Sequence, residues 1–110
     1  MGGMGVIRVK KICVVAEFSV VPLGTGSTSL SSYVRVAHAE VKKSKVRSML
    51  TPMGTILEAE SLQEIFEVVR RAHEAVFRAG AKRVSTSMKI DDRRDRNRTM
   101  EDKIAAVMEH

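Results

Sequence analysis

KVRSMLTPMGTILEAE, residues 45–60, is the stretch on which the fold turns. Pro52, Met53 and Gly54 break it into two short apolar runs, which predicts two strands, 46–51 and 55–60, joined by a tight turn. Gly54 suits a turn position of positive φ. A hairpin in the middle of the chain leaves one segment on each side to assign.

On the C-terminal side, Ser61 and Glu64 form a capping box, in which side chains answer the free N–H groups of a first helical turn. Leu62, Ile65, Phe66, Val69, His73 and Val76 then lie along one helical stripe that ends near Gly80, a fitting C′ residue. VSTSMKI, residues 84–90, alternates after that: Val84, Thr86, Met88 and Ile90 on one face, Ser85, Ser87 and Lys89 on the other. It reads as a strand with one polar face.

On the N-terminal side, VIRVKKICVVAEFSVV (6–21) is apolar on both alternating faces from Ile12 onward, with Glu17 interrupting, as expected of a central strand covered on both sides. Pro22 and Gly24 stop it, and Ser27 or Ser29 is placed to cap the helix that follows. Leu30, Val34, Ala37 and Val41 fall on one face of that helix. Near the end, Thr99 caps a short helix with Met100, Ile104 and Val107 or Met108 as its apolar edge.

The order β-α-β-β-α-β predicts an α+β fold, a ferredoxin-like sandwich with an antiparallel four-stranded sheet, two helices on one face and a short C-terminal helix. All 110 residues form one domain, with 1–5 expected to fray or to mark an alternative start at Met4, and the terminal helix at 99–109. The first strand's C-terminal end, both helix N-termini and the start of the fourth strand are expected at one edge, with the TPMG turn and Asp91-Asp92 at the other. The uncovered sheet face, or its edges, calls for a second copy of the chain, as a homodimer or homotetramer.

Nineteen lysines and arginines against thirteen acids give a net charge of +6. Spread over Arg8 to Lys11, Lys42 to Arg47, Arg70-Arg71, Lys82-Arg83 and the acid-interrupted DDRRDRNR, that charge reads as solvated surface more simply than as a nucleic-acid stripe. The single cysteine, Cys13, sits in an apolar run as a small hydrophobe, and with no signal-peptide pattern or membrane-length apolar run the expected location is cytoplasmic, with no membrane partner.

GTGSTS (24–29) lacks the lysine of a Walker loop and the third glycine of a dinucleotide fingerprint. Its value lies in its place, where a strand end feeds a helix N-terminus able to hold an anion or the polar edge of a heterocycle, although simple capping explains it too. His38, His73 and His110 have no cysteine in register, so no metal set is expected, and the first two read as structural or surface histidines. No nucleophile with a base, no paired catalytic acids and no activated cysteine emerge, so no catalytic residue is assigned. Glu17 is the carboxylate of interest, either paired across a subunit interface or available to a cationic ligand. Asp91 and Asp92 beside Arg93 and Arg94 read as a neutralising surface cluster or as a recognition element.

VVPLGTGSTSLSSYV, LTPMGTILEAE and RVSTSMKIDDRRDR, in this order, resemble a family of small thiamine-binding proteins. The resemblance implies a ferredoxin-like fold, homotetramers, and non-enzymatic binding of thiamine or its pyrimidine moiety. An aminopyrimidine offers edges to hydroxyls, backbone groups or a carboxylate, and a thiazolium favours acidic neighbours. The expected ligand contacts are Glu17, Thr28, Ser29, Tyr33 and Glu58, with Thr51, Met53, Gly54, Lys89, Asp91 and Asp92 as interface or second-group contacts. No cofactor beyond thiamine or hydroxymethylpyrimidine as ligand is expected. The alternatives are a regulatory module for another metabolite at a subunit interface, RNA binding, which the lack of stacking aromatics disfavours, and, last, phosphate chemistry, for which the loop lacks a lysine.

Overall fold

The computed structural model describes residues 11–27, 30–95 and 99–108. β1 (Val14–Pro22) is followed by α1 (Ser31–Lys43), β2 (Arg47–Thr51), β3 (Gly54–Ala59), α2 (Leu62–Arg78), β4 (Val84–Asp92) and α3 (Met100–Met108). The strands form one antiparallel sheet in the order β2-β3-β1-β4. This is the expected α+β ferredoxin-like arrangement.

β1 occupies the centre and pairs along its length with β4 and, over Val14 to Phe18, with β3. Its pleat sends Val14, Ala16 and Phe18 into the core, where they meet Leu57 and Ala59 of β3, Ala37 and Val41 of α1, and the buried side of α2. Cys13, Val15 and Ser19 are only half-buried on the opposite face and Glu17 is exposed there. The strand is therefore covered on one side by its own helices and only in part on the other, not equally on both as its composition suggested.

α2 begins as expected, with the Ser61 hydroxyl accepting from the Glu64 N–H at 3.3 Å. Ile65, Val68, Val69, Ala72, Ala75 and Val76 form its buried stripe. Phe66, expected on that stripe, lies one residue round from Ile65 and faces outward. Gly80, at φ 114°, ends the helix, and the Gly80 and Ala81 N–H groups bond to the carbonyls of Phe77 and Val76 in a Schellman motif. β4 keeps the expected alternation, half-buried at Val84, Thr86 and Met88 and exposed between.

Two local expectations are corrected. Leu30, not a serine, holds the N-cap position of α1, with no side-chain cap, while its carbonyl accepts from the Tyr33 and Val34 N–H groups. Ser27 instead closes a small turn with Thr25, whose hydroxyl donates to the Ser27 carbonyl at 3.0 Å, and Ser29 lies outside the described residues. Gly54 does not have positive φ, which among the described glycines belongs to Gly24, Gly26 and Gly80. It must be glycine because a Cβ there would stand 2.8 Å from the Phe18 carbonyl oxygen. The turn itself is held by Thr51, whose hydroxyl donates to the Gly54 carbonyl at 2.8 Å and accepts from the N–H groups of Met53 and Gly54.

The ends of the sheet are also sorted differently from expectation. β2 runs parallel to β1, so the β2–β3 turn returns to the C-terminal end of β1, where Phe18 is in register with Thr55. α2 leaves from Ala59, in register with Val14, at the other end. The TPMG turn thus shares an end with the α1 N-terminus and the start of β4. The α2 N-terminus lies at the opposite end with Asp91 and Asp92, which pair with Val15 and Val14. Antiparallel return alone forces this: each helix carries the chain back along the sheet before the next strand begins.

Gly54→Ala is expected to destabilise the fold by about 1–3 kcal/mol, the usual cost of forcing a methyl into packed backbone. Ser87→Ala, on an exposed strand position, is expected to stay within about 0.5 kcal/mol. Urea unfolding of both variants checks this, and equal midpoints for Gly54→Ala and the parent protein would refute it.

Candidate functional site

The end of the sheet shared by the α1 N-terminus and the β2–β3 turn opens into a cleft of about 210 Å³. Phe18 and Val20 of β1 form its floor, Leu30, Val34, His38 and Val41 one wall, and Leu50 to Thr55 the other. The cleft exists because the apolar stripe of α1 outruns the core. Ala37 and Val41 are buried against the sheet, whereas Val34, a turn earlier, is 43 % exposed. Met53 at the tip of the turn is 84 % exposed and stands at the rim.

Among the described residues the lining is mainly apolar, with Ser19, Thr51, Thr55 and His38 as its polar side chains and no carboxylate, lysine or arginine. Thr51 is committed to holding the turn. His38 is different: its Nδ1 is sealed from solvent and has no hydrogen-bond partner among the described residues. A buried polar atom left unbonded costs about 1–3 kcal/mol. The other described histidine, His73, has no such deficit, since its Nδ1 lies 2.6 Å from the Thr86 hydroxyl and its ring packs against Phe77.

On the other face of the sheet, behind the same turn, Glu17, Ser19, Ser87, Lys89 and Met53 border a small depression. Glu17 and Lys89 are directly opposite in the β1–β4 register. Phe18, Ser19 and Met53 border both this depression and the cleft, so the two meet at the rim formed by the turn.

At the far end, the same face carries a different arrangement. Glu58 is 3 % exposed, and its carboxylate accepts from Arg47 at 3.1 Å and from the Met100 N–H at 2.9 Å. Arg47 also pairs with Glu101, and Lys103 with Asp91. Thr99 and Asp102 cap the helix reciprocally, at 3.1 and 3.0 Å. These bonds pin the start of α3 onto the sheet face that lacks α1 and α2, while Ile104, Val107 and Met108 further along remain exposed. Arg94 grips Asp92 with two nitrogens and Arg93 does the same to Asp95, the neutralising cluster that the sequence suggested. Asp92 is held below the usual carboxylate range by its bond to Arg94.

The expected site residues therefore separate. Thr51, Met53 and Gly54 build the cleft wall, Glu17 and Lys89 lie behind the turn, and Glu58, Asp91 and Asp92 serve the far end. Tyr33 packs against the core and does not line the cleft. Thr28 and Ser29 lie outside the described residues. Sequence reading passed over His38 because a histidine on an apolar face is ordinary; its spacing of four from Val34 was the available signal, but not its lack of a partner. Among the described residues no group of histidine, cysteine and acidic side chains is placed to hold a metal ion, and no helix is long and apolar enough to cross a membrane.

A ferredoxin-like sheet with a small apolar cleft at one end defines the structural class. Residues 16–108 match the family described as Thiamine-binding protein, and the chain belongs to that family. It is 55 % identical over 96 residues to a UPF0045 protein of Methanothermobacter thermautotrophicus, covering 87 % of this chain and 97 % of that one. Among solved structures it resembles the hypothetical protein MJ1052 of Methanocaldococcus jannaschii, with TM-score 0.79, 39 % identity, and coverage of 93 % of this chain and all of that one. The fold is shared with TM0486 of Thermotoga maritima, a candidate thiamine biosynthesis/salvage protein, with TM-score 0.73 and 21 % identity over 86 % of this chain and 97 % of that one.

The α3 attachment is expected to loosen in acid. The bond from Arg47 holds the Glu101 carboxyl below its ordinary 4.5. A depressed carboxylate contributes stability that is present above its ordinary value and lost as the pH falls through the depressed one. Amide exchange across residues 100–108, corrected for intrinsic rates, is expected to show protection at pH 6 that weakens toward pH 3. Unchanged protection, relative to α2, would refute the latch.

Proposed function

We propose that the protein binds thiamine or a related pyrimidine or thiazole metabolite at the α1/β2–β3 cleft, without chemical turnover, as a carrier or sensor. The observation that carries this reading is the cleft itself, in a chain whose family is described as thiamine-binding. Its volume of about 210 Å³ is below the ~300–1,000 Å³ of sites that enclose drug-sized molecules. It suits one heteroaromatic ring, with the rest of the ligand lying over the rim at Met53. An apolar lining without a counter-charge favours a neutral ring inside and disfavours a cation there. The pyrimidine then enters the cleft, and the thiazolium extends past the turn toward Glu17.

RNA binding has less support. The face bearing Glu17 carries Ser85, Ser87, Lys89, Val15 and Cys13, and no aromatic side chain among the described residues, while Phe18 points into the core. Stacking of unpaired bases needs such rings. A regulatory module that binds a different small metabolite would use the same cleft, and ligand identity separates it from the thiamine reading.

The reading includes assembly into a homo-oligomer. Val15 and Ile56 are half-buried on the sheet face that α1 and α2 leave open. Met49 on the same face is exposed, as are Ile104, Val107 and Met108 of α3. A second copy would cover them, as a homodimer or homotetramer.

Calorimetry with thiamine, its phosphates and hydroxymethylpyrimidine is expected to show saturable binding. Glu17→Gln is expected to weaken thiamine several-fold while leaving the uncharged hydroxymethylpyrimidine unchanged, since only the former carries a cation. Absence of heat with all of these ligands would defeat the reading. Sedimentation at micromolar concentration is expected to show a dimer or larger species, and a strictly monomeric profile would defeat the assembly.

A further inference from the structure

We propose that His38 selects the ligand of the cleft, its Nδ1 accepting a hydrogen bond from an N–H of a flat, uncharged heterocycle, with the exocyclic amine of an aminopyrimidine as the group it takes. The proposal deepens the reading above and rests on the same cleft.

Among buried side-chain nitrogen and oxygen atoms of the described residues, His38 Nδ1 is the one without a partner. Such atoms are rare in native proteins, and each calls for an explanation. His73 provides an internal comparison: it too is half-buried on an apolar helix face, yet Thr86 satisfies it. The fold is thus able to supply a partner for a histidine, and among the described residues it supplies none to the Nδ1 of the one that lines the cleft.

The chemistry of the missing partner follows from the surroundings. Among the described residues no charged side chain lines the cleft, so a neutral ligand is the compatible one. The hydrogen bond made by one imidazole nitrogen sets which of them carries the proton. With no acceptor for Nδ1 among the described residues, the tautomer proposed is the one whose proton is on Nε2. Nδ1 then presents a lone pair and needs an N–H or O–H donor. In the present orientation Nδ1 is sealed and does not face the open cleft, so a turn of the half-buried ring about its Cβ–Cγ bond, a fast side-chain motion, is part of the proposal when the ligand enters.

Phe18, Val34 and Met53 supply apolar surface for the faces of a flat ring. The polarity of such a ring must then lie along its edge, where His38 meets it. A pyrimidine without the amine has only acceptors on that edge and would place a lone pair against Nδ1. A pyrimidine with the amine donates to it.

The test compares 4-aminopyrimidine with pyrimidine, and hydroxymethylpyrimidine with its analogue lacking the amine, on the full chain. The imidazole signals of the three histidines are followed by NMR and affinities by calorimetry. The amino compounds are expected to bind about tenfold more tightly than their partners, the worth of one buried hydrogen bond, and to shift the His38 signals while leaving those of His73 in place. In His38→Leu the preference is expected to fall to near one. In His38→Asn, whose Oδ1 lies close to the Nδ1 position, it is expected to survive in part, and circular dichroism confirms that both variants fold. Equal affinity for both members of each pair, unmoved His38 signals, or a preference that persists in His38→Leu would overturn the proposal. Thiamine binding untouched by His38→Leu would overturn it while leaving the thiamine reading intact. A His38-dependent preference for the aminopyrimidines without any binding of thiamine would do the reverse.

Discussion

Everything in this molecule is arranged around the alternation of one strand. β1 pairs on both sides, and its pleat divides its residues between two environments, with Val14, Ala16 and Phe18 under the helices and Val15, Glu17 and Ser19 on the other face. A one-residue slip in register would exchange the two sets, placing Glu17 in the core and Phe18 outside. The chain cannot tolerate that, so the registers of β3 and β4, and with them both ends of the sheet, are fixed by the burial of three side chains.

From that constraint follows a division of labour between the ends. At the end reached by the C-terminus of β1, the core stops before α1 does, and the leftover apolar stripe meets a hairpin turn to make a cleft. At the opposite end a buried carboxylate, Glu58, ties β2, β3 and α3 together through Arg47 and the Met100 N–H. A buried charge is tolerated only when its oxygens are satisfied. Glu58 meets that condition with two separate elements, so it acts as an anchor for α3. One end is therefore open and mostly uncharged, and the other is closed and ionic.

How much of this could be read in the chain depends on the scale of the feature. The hairpin around Pro52, the α2 stripe and the β4 alternation are written in local spacing, and each appears where the pattern put it. Phe66, the α1 cap and Gly54 went otherwise, each because a neighbour in space decided: the packing face of α2, the loop before α1, and the carbonyl of Phe18. The ends of the elements were sorted wrongly for the same reason, since the direction of each strand depends on the return path of the helix before it. Among the candidate ligand residues, sequence brought Thr51, Met53 and Gly54 to attention but set them apart from the α1 N-terminus, which they in fact face.

The sequence by itself determined the class of fold, the order of its elements and the resemblance that pointed to thiamine, because these rest on periodicity and on contiguous motifs. Only the tertiary structure decided that α1 and the β2–β3 turn enclose one cleft within a single chain, that Glu58 belongs to the α3 anchor, and that His38 Nδ1 is left without a hydrogen-bond partner among the described residues. Each of these is a relation between residues distant in sequence. A hydrogen bond that is not made has no signature in spacing; it appears only when the neighbours around a buried atom have positions.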